Sequence, residues 1–274
     1  MTWQVGCETI VVVPCYNEAQ RLDFAAFGTF LGGCQGSSLL FVDDGSTDST
    51  AVLLEQFTAQ HSGRASVLRL KRNAGKAEAV RLGMLHAWRR SPTFVGYWDA
   101  DLATPLATVK QFRELLTRRP ELSLAMGSRI ALLGREINRR WVRHLAGRAF
   151  ATAASLTLGL AVYDTQCGAK LFRATPEIEL LFRQPFRSRW VFDVEILARL
   201  VAVAGKEQAE HLIYECPLDR WTDVGGSQLS LRDFARASMD LARIYWHDIR
   251  GRASKVPAAS IGSKVEHPPR RKAA

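Results

Sequence analysis

Residues 94–101 read FVGYWDAD, an apolar run that ends in two carboxylates one residue apart. Two earlier apolar runs end in a similar way. Ile10–Val13 leads into PCYNE (14–18), and Leu39–Val42 leads into DDGSTD (43–48). In an open α/β sheet, the carboxyl ends of parallel strands meet at one edge, where ligands bind. These three strand ends therefore predict one polar, acidic binding site at that edge.

The first 130 residues alternate between short apolar runs and amphipathic segments of helical length. Such alternation is typical of βαβ units, and strands that are apolar throughout are covered on both faces. We therefore predict an α/β fold with a mostly parallel central sheet and helices on both faces. The predicted strands are Ile10–Val13, Leu39–Val42, Val67–Leu70, Val95–Trp98 and Leu122–Met126; the predicted helices run through Phe24–Leu31, after the N-cap residues 47–50, through Ala77–Trp88 and from Pro105.

The pattern changes after residue 130, where helical periodicity predominates. Residues 250–274 are rich in Ser, Ala, Pro, Lys and Arg with little apolar content, which predicts a basic, disordered tail. The remaining 1–249 we interpret as a single domain. Its predicted later elements are one or two helices in Arg135–Val162, a short strand at Leu171–Phe172, a helix at Val191–Ala204, a strand at His211–Cys216 and a helix at Leu231–Ile249.

The chain has a formal net charge of +10, and much of it is concentrated in two places. Five arginines lie between Arg135 and Arg148 against one glutamate, and six basic residues lie between Arg252 and Lys272 against another. Such clusters suit an anionic partner such as phosphate, lipid headgroups or nucleic acid, although a solvated surface explains a charge run equally well. No nucleic-acid-binding motif is present, so nucleic acid is not the expected partner.

The cysteines and the apolar stretches indicate the compartment. Five scattered cysteines without metal-ligand spacing favour ordinary thiols in a reducing environment. Residues 1–7 lack the segments of a signal peptide, and no uncharged stretch reaches the ~20 apolar residues of a membrane-spanning helix. We therefore expect a cytoplasmic protein that lies, at most, on the cytoplasmic face of a membrane.

Two common nucleotide-binding motifs are missing from the sequence. No G-x-G-x-x-G follows the first predicted strand, and no G-x-x-x-x-G-K-[ST] occurs anywhere. A dinucleotide-dependent dehydrogenase and a P-loop NTPase are both disfavoured. The pattern that remains is a nucleotide bound by carboxylates, with a divalent metal in contact with the diphosphate.

Six motifs resemble those of a known family. VVVPCYNE (11–18), VDDGSTD (42–48) and DAD (99–101) resemble the inverting, GT-A-fold glycosyltransferases of family 2. DTQCGAKLF (164–172), RWVFDVE (189–195) and WTDVGGS (221–227) are similar to the dolichyl-phosphate β-glucosyltransferase branch. The resemblance spans roughly residues 10–249. It implies a GT-A-type, Rossmann-like fold in which 1–130 form the nucleotide-sugar half and 131–249 the acceptor side.

The sequence also departs from that branch in three places. The N-terminal membrane anchor of the eukaryotic members has no counterpart in the sequence given. Ala169 stands where an aromatic residue is usual, and Gln228 where a lysine is usual. The last two departures concern the side of the site that would bind the acceptor.

The resemblance implies roles for the residues of the donor side. Pro14, Tyr16 and Glu18 would enclose the nucleoside, with Glu18 at the ribose hydroxyls. Asp43 or Asp44 would accept a hydrogen bond from the base, although Asp-Asp-Gly-Ser is also a good turn sequence. Lys76, at a helix start, would face the diphosphate or simply point into solvent.

The same resemblance assigns the metal and the reaction centre. Asp99 would contact ribose or metal, and Asp101 would bind Mg²⁺ or Mn²⁺, unless it serves only as a helix N-cap. Asp193 and Glu195 are two apart in a helix and do not share a face, so one of them, which we expect to be Asp193, lies in the site. Asp193 would act as base or as positioning group, or would only complement the helix dipole.

Acceptor recognition would fall to basic residues. The family places Arg129 on the acceptor phosphate, where a guanidinium binds bidentately, and we expect Arg143 and Lys170 to assist. The apolar and basic residues of Arg135–Val162 suit either an interfacial helix at an anionic membrane surface or a helix packed on the protein core.

The resemblance thus implies transfer of glucose from UDP-glucose to a polyprenyl phosphate, with inversion. Two alternatives within enzymes remain open: another donor such as GDP-mannose, or a hydroxyl acceptor, for which Asp193 would be an obligatory base. A binding or regulatory protein that uses the basic clusters is the alternative outside enzymes.

Overall fold

The computed structural model describes residues 8–130, 133–138, 141–222 and 231–250. The strands are β1 (Thr9–Cys15), β2 (Ser37–Asp43), β3 (Ala65–Arg69), β4 (Phe94–Trp98), β5 (Leu124–Ser128), β6 (Glu136–Asn138), β7 (Ala169–Arg173), β8 (Ile213–Pro217) and β9 (Arg220–Thr222). The helices are α1 (Phe24–Gly33), α2 (Thr50–Gln60), α3 (Lys76–Trp88), α4 (Thr108–Arg118), α5 (Trp141–Leu158), α6 (Pro176–Arg183), α7 (Phe192–Ala204), α8 (Lys206–Leu212) and α9 (Leu231–Ile244), which continues as a π-helical turn (Tyr245–Arg250).

Seven strands form the central sheet in the order β3-β2-β1-β4-β7-β5-β8. All neighbours are parallel except β7, which runs antiparallel to both β4 and β5. A separate parallel pair, β6 and β9, forms a small ribbon. The predicted α/β class with a mostly parallel sheet is therefore confirmed.

The topology brings distant parts of the chain to one edge of the sheet. The strand order reverses between β1 and β4, and a crevice at such a switch point is where α/β proteins bind ligands. Cys15 at the end of β1 is in register with Asp43 at the end of β2. Because β7 is antiparallel, its first residue, Ala169, lies beside Trp98, the last residue of β4. Residues before β7 thus share an edge with residues after β4.

Helices cover both faces of the sheet, as predicted. Along β1, Val12 faces one hydrophobic cluster, which includes Met84 of α3, while Val11 and Val13 face another, which includes Phe112 of α4. This alternation is the period of two expected of a strand. Both faces of the sheet are apolar, so the polar residues that follow the strands lie at the ends of the strands and not on either face.

Close packing of α3 on the sheet depends on a glycine. A Cβ atom added to Gly83 would overlap the side chains of Val12 and Val42. The helix therefore approaches β1 and β2 more closely than a side chain would allow. This approach fixes the position of Lys76, the first residue of the same helix.

Several predicted boundaries were wrong. Arg135–Val162 was expected to be helical, but Glu136–Asn138 forms β6, whose register with Arg220–Thr222 is set by tertiary pairing that a local pattern does not reveal. The segment from Pro105 forms turns before α4 begins at Thr108. His211 belongs to α8 rather than to a strand.

Two helices, α6 and α8, were not predicted. Thr175 caps α6 by accepting a hydrogen bond from the backbone of Ile178, and Pro176 occupies its first turn. This cap followed by proline and an acidic first turn is a recognisable start signal. The predicted disordered tail lies, apart from Arg250, outside the described residues. Within the described ranges, no helix combines the length and apolar character needed to cross a membrane.

Candidate active site

The loops after β1 and β2 are joined by hydrogen bonds. The Asn17 carboxamide oxygen accepts from the Thr47 backbone (2.9 Å), and the Asn17 backbone donates to the Ser46 hydroxyl (3.1 Å). The Glu18 backbone donates to the Thr50 hydroxyl (2.8 Å). Asn17 adopts φ 51°, a left-handed conformation that asparagine tolerates. The two predicted nucleoside-binding segments thus form one wall of the site. The Ser and Thr residues of the second loop connect it to the first through these hydrogen bonds.

Pro14, Tyr16 and Glu18 project from this wall. Pro14 is half-buried within β1, and Tyr16 is 42% exposed, so its ring is open to a ligand. Both carboxylate oxygens of Glu18 accept from Arg21, at 2.8 and 2.6 Å. Burial raises the pKa of Glu18, an effect that the Arg21 contact only partly offsets. The Glu18–Arg21 pair therefore presents a fixed, partly buried polar group at the predicted ribose position.

Asp43 and Asp44 bind different partners in the structure. Asp44 accepts from the backbone of Ala74 and Gly75, at 2.8 Å each, and so fixes the turn that opens α3. Asp43 accepts from the Ser46 backbone (3.0 Å), and its second oxygen lies 3.4 Å from Nε of Arg69. Both side chains are buried. The geometry gives Asp44 a structural task and leaves Asp43 as the better-placed candidate for contact with a base.

Lys76 reaches from the start of α3 to the end of β4. Its ammonium lies 2.6 Å from Oδ1 of Asp99. Burial lowers the pKa of Lys76, but the carboxylates of Asp99, Asp193 and Asp101 outweigh it, so the net pKa is raised. A permanently charged ammonium therefore stands among these three acids, where an anionic diphosphate would find a cation.

Asp99 and Asp101 form the acidic pair that the sequence predicted. Asp101 accepts from the Ala103 backbone (3.1 Å), as expected if it also caps the following turn. Burial, and then the nearby charge of Asp99, raise the pKa of Asp101. This repulsion would be relieved by a cation held between the two carboxylates, whose oxygen donors fit Mg²⁺ or Mn²⁺. Among the described residues there is no cluster of three or more metal-binding side chains, so these two would be supplemented by ligand or water oxygens.

Asp193 lies in the first turn of α7 and is almost completely buried. Its Oδ1 accepts from the Tyr97 hydroxyl and from the Lys170 ammonium, both at 2.5 Å. Lys170 also donates to the backbone carbonyls of Thr165 (3.0 Å) and Cys167 (2.8 Å) and has no exposed side-chain surface. We predicted that Lys170 contacts the acceptor phosphate. This placement does not fit that prediction, because all three ammonium hydrogens are used inside the protein.

Glu195 is directed away from Asp193, as their spacing suggested. One Glu195 oxygen accepts from the backbone of Arg187 (2.8 Å) and Ser188 (3.2 Å), and the other from the guanidinium of Arg199 (2.7 Å). Glu195 therefore fixes the loop before α7. Of the two acids in this helix, Asp193 is the one near Lys76 and the pair at β4.

Arg129, after β5, pairs with an acid of the loop before β7. Its Nε and Nη2 donate to the Asp164 carboxylate at 2.6 and 2.7 Å, and its guanidinium lies 5.3 Å from the Trp221 ring centroid. Asp164 is positioned by Glu215, which accepts from the backbone of Asp164 and Tyr163, at 2.8 Å each. Arg129 is thus held in a fixed orientation, and its side chain is 18% exposed. The side chain of Arg143 lies outside the described residues, as does the segment 223–228.

The matches to known proteins agree with this geometry. The model of the family described as Glycosyl transferase family 2 matches residues 10–181. The chain belongs to glycosyltransferase family 2. Its relatives include the dolichyl-phosphate β-glucosyltransferases of Saccharomyces cerevisiae (31% identical over 85% of this chain and 73% of that protein) and Drosophila melanogaster (33% identical over 81% and 69%).

Solved structures show the same fold. Glucosyl-3-phosphoglycerate synthase from Mycobacterium tuberculosis, in complex with Mn²⁺, UDP and glucosyl-3-phosphoglycerate, superposes with a TM-score of 0.61. The superposition covers 94% of this glycosyltransferase and 84% of that chain, at 19% identity. The expected GT-A-type architecture is therefore confirmed.

Sequence analysis missed several residues that build the glycosyltransferase site. Tyr97 looked like one more apolar residue of a buried strand. The neighbouring sequence did not indicate that its hydroxyl contacts Asp193, which is 96 residues away. Asp164 had a signal, because it opens the DTQCG motif, but no role was assigned to it. Glu215, in β8, binds the backbone beside Asp164 and gave no signal, since an acid near a strand end is common.

Replacement of Gly168 by alanine is expected to disturb the carboxylate pair of the glycosyltransferase. A Cβ atom at this position would overlap the Asp99 carboxylate, while the Gly168 carbonyl accepts from the Asp99 backbone (3.0 Å). The added Cβ atom would displace the Asp99 carboxylate. Because a displacement of about 1 Å at a reacting centre lowers a rate by on the order of 10²-fold, kcat should fall by about that factor. Gly147→Ala, at a position with open space, is the control and should retain full activity. Equal kcat values for both variants would contradict this account.

Two buried cysteines of the glycosyltransferase, Cys15 and Cys167, and the partly buried Cys216 are expected to resist alkylation. Burial raises the pKa of Cys167 to about 11 and of Cys216 to about 12, and places that of Cys15 well above its usual value. A higher pKa leaves less of the reactive thiolate, so at about pH 8 alkylation should be slower by roughly 10²-fold or more than for a free thiol. Mass spectrometry after iodoacetamide treatment, with and without urea, measures this. Rapid labelling of Cys167 in the folded protein would contradict its burial and the raised pKa of its thiol.

Proposed function

We propose that this chain transfers glucose from UDP-glucose to a polyprenyl phosphate and forms a β-linked polyprenyl-phosphate sugar. The proposal rests on the described site and on the relatives of known activity. One observation carries the choice of acceptor: Oδ1 of Asp193 is engaged by a buried ammonium and a tyrosine hydroxyl. Protonation of Asp193 would leave the charge of Lys170 buried and uncompensated, which is costly. A phosphate acceptor, already ionised, needs no such base.

The donor would lie along the wall formed by the loops after β1 and β2. Tyr16 would pack against the base and Asp43 would accept from its imide N–H, while Glu18 would approach the ribose. Lys76 would bind the diphosphate, and Asp44 would hold the turn that places Lys76. These roles are supported by side chains that are either fixed by hydrogen bonds or open to the edge of the sheet.

Asp99 and Asp101 would hold a Mg²⁺ or Mn²⁺ ion together with the diphosphate. When bound, such an ion supplies Lewis-acid stabilisation of the charge on the leaving diphosphate. The role of the protein is to keep the two carboxylates in place, through the backbone contact of Asp99 with Gly168 and that of Asp101 with Ala103. Metal dependence is thus part of the proposal.

In the proposed reaction, an acceptor phosphate oxygen attacks the anomeric carbon on the face opposite UDP. A new carbon–oxygen bond forms as the bond to the diphosphate breaks, so the configuration is inverted and UDP departs with the electron pair. Arg129, fixed by Asp164 and Trp221, would stand on the acceptor side, with Arg143 as a further candidate. Asp193 would position groups around the reaction centre and would not accept a proton.

The acceptor lipid also determines where the protein would work. We propose that the protein lies at the cytoplasmic face of a membrane, in peripheral contact with anionic lipid. The basic clusters of the sequence favour this location, since polybasic segments are attracted to anionic leaflets. The donor and the lipid are the expected partners, and nucleic acid is not.

UDP release from UDP-glucose, measured with Mn²⁺ or Mg²⁺ and with or without a polyprenyl phosphate in detergent, tests the proposal. We expect UDP release that depends on both the lipid and the metal, and little GDP release when GDP-mannose is the donor. UDP binding without lipid-stimulated turnover would exclude the acceptor but keep the donor. Turnover of GDP-mannose instead, or the absence of any metal-dependent nucleotide binding, would overturn the proposal.

A further inference from the structure

The last helix of the described chain has two distinct faces. Along α9 and the π-helical turn, Ala237, Leu241, Ile244 and Asp248 are buried. Their spacing of three or four residues is that of one helical face. This face packs against α7 and α5, so the opposite face is directed outward.

The outward face combines cations with large apolar side chains. Met239 and Trp246 are 54% and 56% exposed. Arg236, Arg243 and Arg250 are also exposed and are spaced by seven residues, which places the first two on the Met239 side of the helix. The Arg250 guanidinium lies 4.4 Å from the Trp246 ring centroid. These five residues, Arg236, Met239, Arg243, Trp246 and Arg250, are called the basic-aromatic face below.

The two acids in the segment 236–250 do not balance the positive charge of the basic-aromatic face. Asp248 is buried and accepts from the Arg187 guanidinium at 3.0 Å. Asp240 accepts from the Ser188 hydroxyl at 2.7 Å and lies 3.3 Å from Arg243, with its side chain 18% exposed. Asp248 is therefore engaged at the inner side of the helix, while Asp240 is shared between Ser188 and Arg243 and offsets only one of the three arginines. The outer side keeps a net positive charge beside an exposed indole and thioether.

We propose that the basic-aromatic face binds the surface of an anionic lipid bilayer. Arginines attract anionic headgroups, while tryptophan and methionine side chains enter the boundary between headgroups and acyl chains. Exposed large apolar groups that adjoin cations on one helical face are the pattern of an interfacial helix. The charge and the apolar groups act together, which distinguishes this face from the charge-only surface of α4, where Arg118 pairs with Glu114.

The same helix is tied to the reaction centre. Asp240 and Asp248 bind Ser188 and Arg187, and the segment that contains them leads within a few residues to Asp193. A bilayer that binds the basic-aromatic face would therefore lie at a fixed distance from the site. The inference rests on the membrane contact of the proposed function and names the face that makes it. Vesicle binding and sugar transfer are measured separately, so either one can fail while the other holds.

Co-sedimentation of the full chain with vesicles tests the inference. One set of vesicles is phosphatidylcholine alone, and the other is phosphatidylcholine mixed with phosphatidylglycerol. We expect binding to the anionic set that weakens as salt rises. Each arginine near an anionic surface contributes about 5-fold in affinity, so the triple variant Arg236→Gln, Arg243→Gln, Arg250→Gln should lose on the order of 100-fold. Trp246→Ser should weaken binding at all salt concentrations.

A matched triple variant, Arg89→Gln, Arg118→Gln, Arg183→Gln, removes the same charge at the C-terminal ends of α3, α4 and α6 and should keep wild-type binding. Three results would overturn the inference: wild-type affinity in the α9 triple, equal losses in both triples, or binding of polyuridylate in place of vesicles. Turnover of a short, water-soluble polyprenyl phosphate should be unchanged in the α9 triple. A failure of that turnover in the wild type would count against the proposed function alone.

Discussion

Replacement of Asp101 by alanine is expected to reduce metal-dependent UDP release by at least about 10³-fold, equivalent to about 4 kcal/mol of transition-state stabilisation. The reason is that Asp101 and Asp99 are the two carboxylates that we propose hold a cation against the leaving diphosphate. Stability should not fall, because burial and the charge of Asp99 already disfavour the ionised form of Asp101 and raise its pKa. Kinetics of UDP release and thermal unfolding of the same preparation measure both effects.

The control for this prediction is another acid. Glu114→Gln removes a carboxylate whose partner is the exposed Arg118 on α4. Such a surface pair contributes little to stability and lies away from the site, so activity should stay at the wild-type level. If Asp101→Ala retained substantial activity, or became inactive only because it unfolded, the assignment of the metal site would be wrong.

Replacement of Lys170 by methionine is expected to destabilise the protein by about 3–5 kcal/mol, because it leaves the Asp193 carboxylate buried without its cation. The ammonium lies 2.5 Å from Oδ1 of Asp193 and also binds two backbone carbonyls of the loop before β7. Turnover should fall as well, since that loop includes Gly168, which supports Asp99. Urea unfolding and UDP release measure the two consequences separately.

A second variant separates charge from packing at this position. Lys170→Met combined with Asp193→Asn removes both charges, so much of the lost stability should return while activity stays low. Tyr97→Phe removes only the other donor to Asp193 and should cost less stability than Lys170→Met. If the double variant were as unstable as Lys170→Met alone, the ion pair would not be the source of the destabilisation.

The strand ends of the first half were predictable because they depend on local patterns. An apolar run followed by acids, as at Trp98–Asp101, places its polar residues at the edge of a parallel sheet wherever the strand lies in it. The loops at Asn17 and Thr47 follow the same logic, although their mutual hydrogen bonds need both strands in position. Local chemistry was thus sufficient where the neighbours were themselves parallel strands.

Residues around β7 were not predictable in the same way. Lys170 was expected to reach a phosphate, but an antiparallel strand between β4 and β5 turns its side chain inward toward Asp193 and Tyr97. No periodicity in a five-residue strand indicates its direction or its neighbours. Likewise Glu136–Asn138 became a strand only because β9 lies beside it. Long-range pairing, which sequence patterns do not encode locally, decided these positions.

The central place of β7 also bears on how the protein can be made. The strand is synthesised about forty residues after β5, yet it fills the gap between β4 and β5. Until it emerges from the ribosome, β4 and β5 each expose a row of unpaired backbone groups, and direct pairing of these two strands is the readily available error. A fragment that ends at residue 130 would therefore be expected to aggregate and not to fold on its own. The sheet of the first 130 residues is complete only when Ala169–Arg173 has supplied the strand between β4 and β5.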